Sequence, residues 1–182
     1  MVLFAERICL RAFSKKDFKA VHEYSSDPDT VKYMTFGPNT ERETRQFINR
    51  TIEANTSLPR YQYAFVVEKL DDKKVIGACS LYLRSKNEGE IGWVLNRDYW
   101  NNGYTTEAAL TLLAFAFEEL KLHRVISRCI SDNTGSWHVM EKCNMRREAC
   151  FKKVRKLLSD PDGPWHDEYL YAILREEWEK ED

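Results

Sequence analysis

The sequence predicts an α/β (α+β) fold: a mixed sheet flanked by helices, with one parallel strand pair beside a Gly-containing loop. Two observations predict it. Three short β-prone runs between Tyr61 and Leu95, joined by polar links, read as an antiparallel meander. A long apolar helical run, Thr105 to Leu120, then leads to the strand-like Arg124 to Ile130. A strand–helix–strand unit of that length makes its two strands parallel.

The elements follow in order. Residues 7–13 read as a first strand, and Ser14-Lys15-Lys16-Asp17 as a near capping box before a helix to about Ser25. His22 reads as a helix-surface or packing residue rather than a catalyst. Asp27-Pro28-Asp29-Thr30 is a turn or a fresh helix start, and Val31 to Met34 one helical turn ended by Gly37-Pro38. Thr40-Glu41-Arg42-Glu43 is a capping box for a helix to about Ala54. Tyr61 to Leu70 alternates, with Tyr61, Tyr63, Phe65 and Val67 on one face. Val75 to Leu83 and Glu88 to Leu95 are the next two strands. The run from Thr105 is apolar around most of its girth, so it should be buried on several sides. After Arg124–Ile130 come a short helix from Thr134 to Cys143 and a closing antiparallel pair, Arg146 to about Arg155 and Glu168 to Leu174. Leu158 to Pro164 is loop-like. The charged tail Arg175 to Asp182 reads as solvated.

A chain of 182 residues with no repeat, low-complexity segment or composition break is expected to form one domain over residues 1–182. With 43% hydrophobic and 31% charged residues it reads as globular, and a net charge of −1 makes no electrostatic case for nucleic acid or an anionic membrane. No apolar run approaches the ~18–20 residues of a membrane span. The opening MVLFAERICLRAF lacks a signal-peptide pattern, and Met1-Val2 excludes myristoylation. The five Cys make no C-x-x-C pair, so buried reduced thiols in a cytoplasmic protein are expected and no metal site.

Between the strand Glu88–Leu95 and the long helix lies Trp100-Asn101-Asn102-Gly103-Tyr104-Thr105. A helix amino end offers unpaired N–H groups and the positive end of the dipole, so a Gly-containing turn feeding it can seat a phosphate. From the one Gly alone, an ordinary strand-to-helix connection is the better reading. No Lys-Ser/Thr follows it and no G-x-G-x-x-G is present, which excludes a Walker loop and a dinucleotide fingerprint.

Tyr99-Trp100-Asn101-Asn102-Gly103-Tyr104-Thr105-Thr106-Glu107-Ala108 resembles the coenzyme A pyrophosphate loop of the GNAT acetyltransferase superfamily, in its RimJ/RimL variant. Asn133 to Met145 is similar to that family's N-x-x-S…EK-x-GF segment, and Ile8-Cys9-Leu10-Arg11-Ala12-Phe13 to its opening LR-x-F strand. Thr105 and Asn144-Met145 depart from the usual small residue and Gly-Phe. The resemblance implies a GNAT-like, mostly antiparallel seven-stranded sheet with helices on both faces, splayed at its parallel pair, and acetyl-CoA as the acyl donor. It implies an N-acetyltransferase acting on a primary amine, a protein or peptide amino terminus or a small molecule, by direct attack in a ternary complex.

Acetyl transfer to an amine needs a held cofactor with a polarised carbonyl, a base for the amine and relief for the leaving thiolate. The resemblance assigns the hold to N–H groups from Asn101, Asn102, Gly103, Tyr104, Thr105 and Thr106, with main-chain groups of Trp93, Val94 and Leu95 pairing like an added strand. Asn133 matches the family's cofactor-contacting Asn and also reads as a plain N-cap. Glu90 shares a face with Gly92 and Val94 and is the candidate base; as a carboxylate of pKa ~4.3 it would need help from water or its surroundings. It also reads as a surface charge. No Tyr occurs between 105 and 168 to serve as the usual acid. Ser136 matches the position used in RimL-like members, contacting cofactor and thiolate, and also reads as a first-turn residue. His138 reads as structural. Tyr33, Met34, Thr35 and Phe36 are acceptor contacts by analogy, or core cover. Trp165-His166-Asp167-Glu168 lines the acceptor mouth or forms a turn. The missing Tyr and Asn144-Met145 keep open a second reading, a non-catalytic acyl-CoA-binding regulatory module. Monomer and homodimer are both compatible with the chain.

Overall fold

The computed structural model describes residues 1–180. Eight strands form one sheet: β1 (Val2–Phe4), β2 (Ile8–Ala12), β3 (Gln62–Lys69), β4 (Val75–Leu83), β5 (Glu88–Leu95), β6 (Arg124–Ile130), β7 (Arg146–Arg155) and β8 (His166–Leu174). Their order is β1-β2-β3-β4-β5-β6-β8-β7. Among the described residues, only β5 and β6 run parallel. The helices are α1 (Phe18–Ser25), α2 (Pro28–Val31), α3 (Glu41–Thr56), α4 (Tyr104–Ala114), α5 (Thr134–Lys142) and α6 (Arg175–Trp178).

The strand count corrects the expected seven. Val2–Phe4 forms a hairpin with β2, closed by Ala5 N–H donating to the Ile8 carbonyl at 3.0 Å. Its turn, Ala5-Glu6-Arg7, lacks Gly, Pro and Asn, and its edge is exposed, with Phe4 at 72%, so neither a turn signal nor an alternation announced it. The run from Thr105 is also two pieces, because a π-helical turn over Phe115–Glu119 follows α4. Strand β8 begins at His166, ahead of the expected Glu168. Of the charged tail, Arg175–Trp178 is helical, and 181–182 lie outside the described residues.

Helices cover both faces, so the inner strands are buried twice and read as continuous apolar runs. In β3, Phe65 and Val67 join Leu112, Leu113 and Phe117 on the α4 side, whereas Ala64 and Val66 join Val21, Tyr24 and Ile48 on the α1–α3 side. The expected β3 face therefore holds, except at Tyr61, which lies outside the strand at 64% exposure. A register shift in β4 at Ile76 sets the faces further along: Val75 and Ala78 pack on one side, Ile76 and Cys79 on the other. Four of the five Cys are buried free thiols and Cys150 is exposed. Among the described residues, no helix is long and apolar enough to cross a membrane.

The parallel pair is short. β5 meets β6 only at Glu88↔Arg124, Gly89↔Val125 and Glu90↔Ile126, yet β5 continues to Leu95 along β4 and β6 to Ile130 along β8. Just past the last pair, the buried Ser127 hydroxyl donates to the Ile91 carbonyl at 2.9 Å. A side chain thus takes an acceptor that a further ladder bond would use. Gly77 lets β5 lean on β4, since a Cβ there would stand 2.4 Å from the Val94 carbonyl oxygen. The result is a sheet that parts between β5 and β6.

Candidate active site

The gap opens onto a cleft of about 680 Å³, within the usual range for a ligand site. Its walls are the end of β5 (Trp93, Val94, Leu95), the loop and first turn of α4 (Asn101, Gly103, Thr105, Thr106), the start of α5 (Asn133, Ser136) and, over the top, Tyr33 and Met34. Elements far apart in sequence meet here because α4 crosses from β5 to β6 and α5 follows β6.

Along the parting edge the main-chain groups alternate. The Ile91 and Leu95 carbonyls point to the gap, where Ser127 Oγ and Trp100 Nε1 donate to them at 2.9 and 2.7 Å. By the same period Trp93 turns its N–H and C=O to the gap, whereas the Val94 carbonyl faces Gly77 on β4. Val94 accordingly meets the cleft with its side chain, and the strand-like pairing expected of Trp93, Val94 and Leu95 is open to Trp93 and the Leu95 N–H.

The loop beyond β5 is built around left-handed residues. Asn101 has φ 61° and Gly103 φ 82°, and Gly103 is the N-cap of α4. Such turns bring successive N–H groups together. No side chain caps the helix, so its first N–H groups and dipole remain available to an anion. The side chains of Asn102 and Tyr104 turn from the cleft: Asn102 donates back to the Trp100 carbonyl at 2.8 Å, and the Tyr104 ring lies against Tyr99. Lys142 also lines the cleft, and α5 is held to α4 by the Cys143 thiol, 3.9 Å from the Thr106 carbonyl.

Asn133 caps α5, its Oδ1 accepting from the Ser136 N–H at 3.2 Å, which leaves its Nδ2 end for a ligand. Burial pushes the Cys129 thiol up to about 11, and the nearby Ser136 hydroxyl only partly offsets it. His138 lines the cleft and packs its ring 3.8 Å from that of Trp137. Its counterpart His22 packs on Phe18 and bonds Thr44.

Glu90 is not in the cleft wall. It lies on the α1–α3 face of β5, opposite Tyr82 and 3.5 Å from Arg84, at 26% exposure. Between it and Val94, Gly92 leaves open space, with no atom within 4 Å of where a Cβ would stand. Glu90, Gly92 and the cleft-lining Val94 thus share one face of β5, with open space over Gly92 between them. Phe36, expected beside Tyr33 and Met34, instead stacks on Phe47 at 6.3 Å, which turns it to α3 and away from the cleft. Arg97 ties Asp29 of the overhanging α2 to the segment after β5 at 2.5 Å. The stretch Trp165 to Glu168 lines no part of the cleft: His166 holds Asp132 at 2.7 Å, Asp167 holds Lys152, and Glu168 is buried between Arg128 and Arg155.

Two residues that shape the site carried no sequence signal. Ser127 is one of three polar residues in β6, with Arg124 and Arg128, and nothing in its spacing singles it out. Arg7 sits in an unmarked turn, yet its guanidinium reaches the Asn102 carbonyl at 3.0 Å. Taken together, an uncapped helix end, a Gly at positive φ and an unpaired strand edge suit an elongated ligand with an anionic end and an amide-bearing arm, and coenzyme A has both.

The family model of the acetyltransferase (GNAT) domain matches residues 7–146. The chain is 40% identical to the uncharacterized N-acetyltransferase YnaD of Bacillus subtilis (strain 168) over 180 residues, 98% of this chain and 99% of that one. It also matches the crystal structure of an acetyltransferase of the GNAT family from Bacillus anthracis, with 42% identity, a TM-score of 0.86 and coverage of 97% and 100% of the two chains. At 18% identity and TM-score 0.80 it shares its fold, over 93% of each chain, with the microcin C7 self-immunity acetyltransferase MccE, solved with acetyl-CoA and AMP. The chain belongs to the GNAT acetyltransferase family and is an acetyl-CoA-dependent acyltransferase.

Proposed function

We propose that this GNAT acetyltransferase is of the RimJ/RimL type, works as a single domain over residues 1–182 and acetylates a primary amine, either a peptide amino terminus or a small-molecule amine, by direct attack in a ternary complex. One observation carries the reading: the unpaired edge of β5 runs beside the uncapped amino end of α4, in one cleft. Acetyl-CoA supplies an acetyl group already activated as a thioester.

The chain's own groups divide the work. The N–H groups from Gly103 to Thr106 hold the diphosphate, helped by the Thr105 and Thr106 hydroxyls and by the dipole of α4. Main-chain groups of Trp93 and Leu95 hold the pantetheine arm, and one of their N–H groups polarises the thioester oxygen. The Asn133 Nδ2 group adds a donor from α5. On the other side of β5, Glu90 takes the amine's proton through water, over the open space at Gly92. The Ser136 hydroxyl, on the first turn of α5 and in the cleft wall, donates a hydrogen bond to the departing sulfur. Tyr33 and Met34 close over the acceptor. Holding both reactants in line can supply about 7–11 kcal/mol of the barrier lowering, so acid and base need contribute only part. Monomer or homodimer, and a cytoplasmic setting, complete the proposal.

A thiol-release assay with acetyl-CoA and a library of primary amines tests it. Amine-dependent thiol release is expected. Tight coenzyme A binding with no release across peptides, polyamines and amino acids would favour the non-catalytic module instead.

A further inference from the structure

Arg7 sits at the tip of the β1–β2 hairpin, distant in sequence from the α4 loop, and every group it has is engaged. Its Nε donates to Glu107 Oε2 at 2.8 Å, and its Nη2 stands 2.8 Å from the same oxygen. Its Nη1 donates to the Asn102 carbonyl at 3.0 Å. The guanidinium also lies 4.6 Å from the centre of the Tyr104 ring, and its Nη2 is 3.3 Å from where a Cβ on Gly103 would stand. The Arg7 main chain is tied separately: its N–H donates to Glu107 Oε1 at 2.6 Å and its carbonyl accepts from Leu70 N–H at 2.9 Å.

Two consequences follow for the amino end of α4. Glu107 lies in the first turn. A carboxylate there suits the helix dipole but repels a second anion at the same end. The guanidinium, paired side-on with that carboxylate, cancels its charge. The bond to the Asn102 carbonyl also orients a peptide unit. In a trans peptide the C=O and N–H point opposite ways, so a carbonyl held by Arg7 turns the Gly103 N–H away from Arg7.

We propose that Arg7 is a positioning residue for the diphosphate of the acyl donor: it presents the Gly103 N–H and masks the Glu107 charge without touching the reacting atoms. The proposal rests on the reading of the α4 amino end as the phosphate seat. Its test compares acetyl-CoA with S-acetylpantetheine, which carries the same thioester and no diphosphate, in steady-state assays of the full chain.

Loss of a charge-assisted pair at an anion site should raise the KM for acetyl-CoA about tenfold or more in Arg7→Ala, with kcat within about twofold. Turnover of S-acetylpantetheine should be unchanged, because the hairpin keeps its main-chain ties. Arg7→Lys should recover part of the loss, and so should Arg7→Ala combined with Glu107→Gln, since each reduces the unmasked charge. Wild-type KM for acetyl-CoA in Arg7→Ala overturns the proposal. An equal loss with both donors overturns it too, because that is damage to the fold. If the wild-type enzyme itself treats the two donors alike, the phosphate seat is misassigned, and the role of Arg7 falls with it.

Discussion

Gly103 is the position where the account is easiest to break. Its φ of 82° is left-handed, which costs an ordinary L-residue roughly 1–2 kcal/mol and a β-branched one more. A Cβ there would also stand 3.3 Å from Arg7 Nη2, so the second branch of a valine pushes on the guanidinium. Where the loop keeps its shape, the cost appears as lost stability. Where the loop yields, its N–H groups turn from the anion and the cost appears as lost affinity. Since ~1.4 kcal/mol is tenfold, Gly103→Ala should weaken coenzyme A binding about tenfold, or lower stability by an equivalent amount. Gly103→Val should abolish detectable binding. Gly103→Asn, a residue that tolerates the left-handed region, should stay within about threefold of wild type. Calorimetric titration with coenzyme A and thermal unfolding, run on all three variants, separate the two routes. Tight binding and full stability in Gly103→Val, or an Asn variant as poor as the Val variant, would refute the reasoning.

Further expectations concern the base, the parting strands and acid stability. Glu90→Gln should slow kcat more than about tenfold without weakening acetyl-CoA binding; unchanged rates across pH would remove Glu90 from the chemistry. Ser127→Ala leaves the buried Ile91 carbonyl without its donor and should cost about 1–3 kcal/mol in urea unfolding, and unaltered stability would mean the parting does not depend on that bond. Arg124 and Arg146 hold the Glu148 carboxyl down from 4.5 to about 2. A folded value below the unfolded one stabilises fully above about pH 4.5, and the contribution is lost as pH falls toward 2. The Tm of Glu148→Gln should therefore be lower than wild type at pH 6 and converge with it near pH 2; a constant difference over that window would show that Glu148 does not titrate as described.

What could be read ahead of the structure follows from which signals are local. β4, β5 and β6 are bounded by polar turns and carry apolar runs, and their expected limits match the observed ones. The capping box at Thr40 marks the start of α3, where Thr40 and Glu43 bond reciprocally. The face of Glu90 follows from strand period alone, but its neighbour Arg84 lies across a turn that periodicity does not describe. Tyr33 and Met34 overhang the cleft and Phe36 does not, because one ring of α3, Phe47, captures it. Val2–Phe4 is too short to alternate. The contacts of Ser127 and Arg7 join residues 36 and 95 or more positions apart, and no local pattern encodes such a pairing.

The central claim is that a diphosphate is held at the amino end of α4, where β5 and β6 part. A crystal structure of the protein with coenzyme A tests it most directly. The account predicts diphosphate oxygens within hydrogen-bond distance of the N–H groups of Gly103 to Thr106 and the pantetheine arm along Trp93 and Leu95. Coenzyme A seated elsewhere on the molecule, with those N–H groups facing solvent, would contradict it.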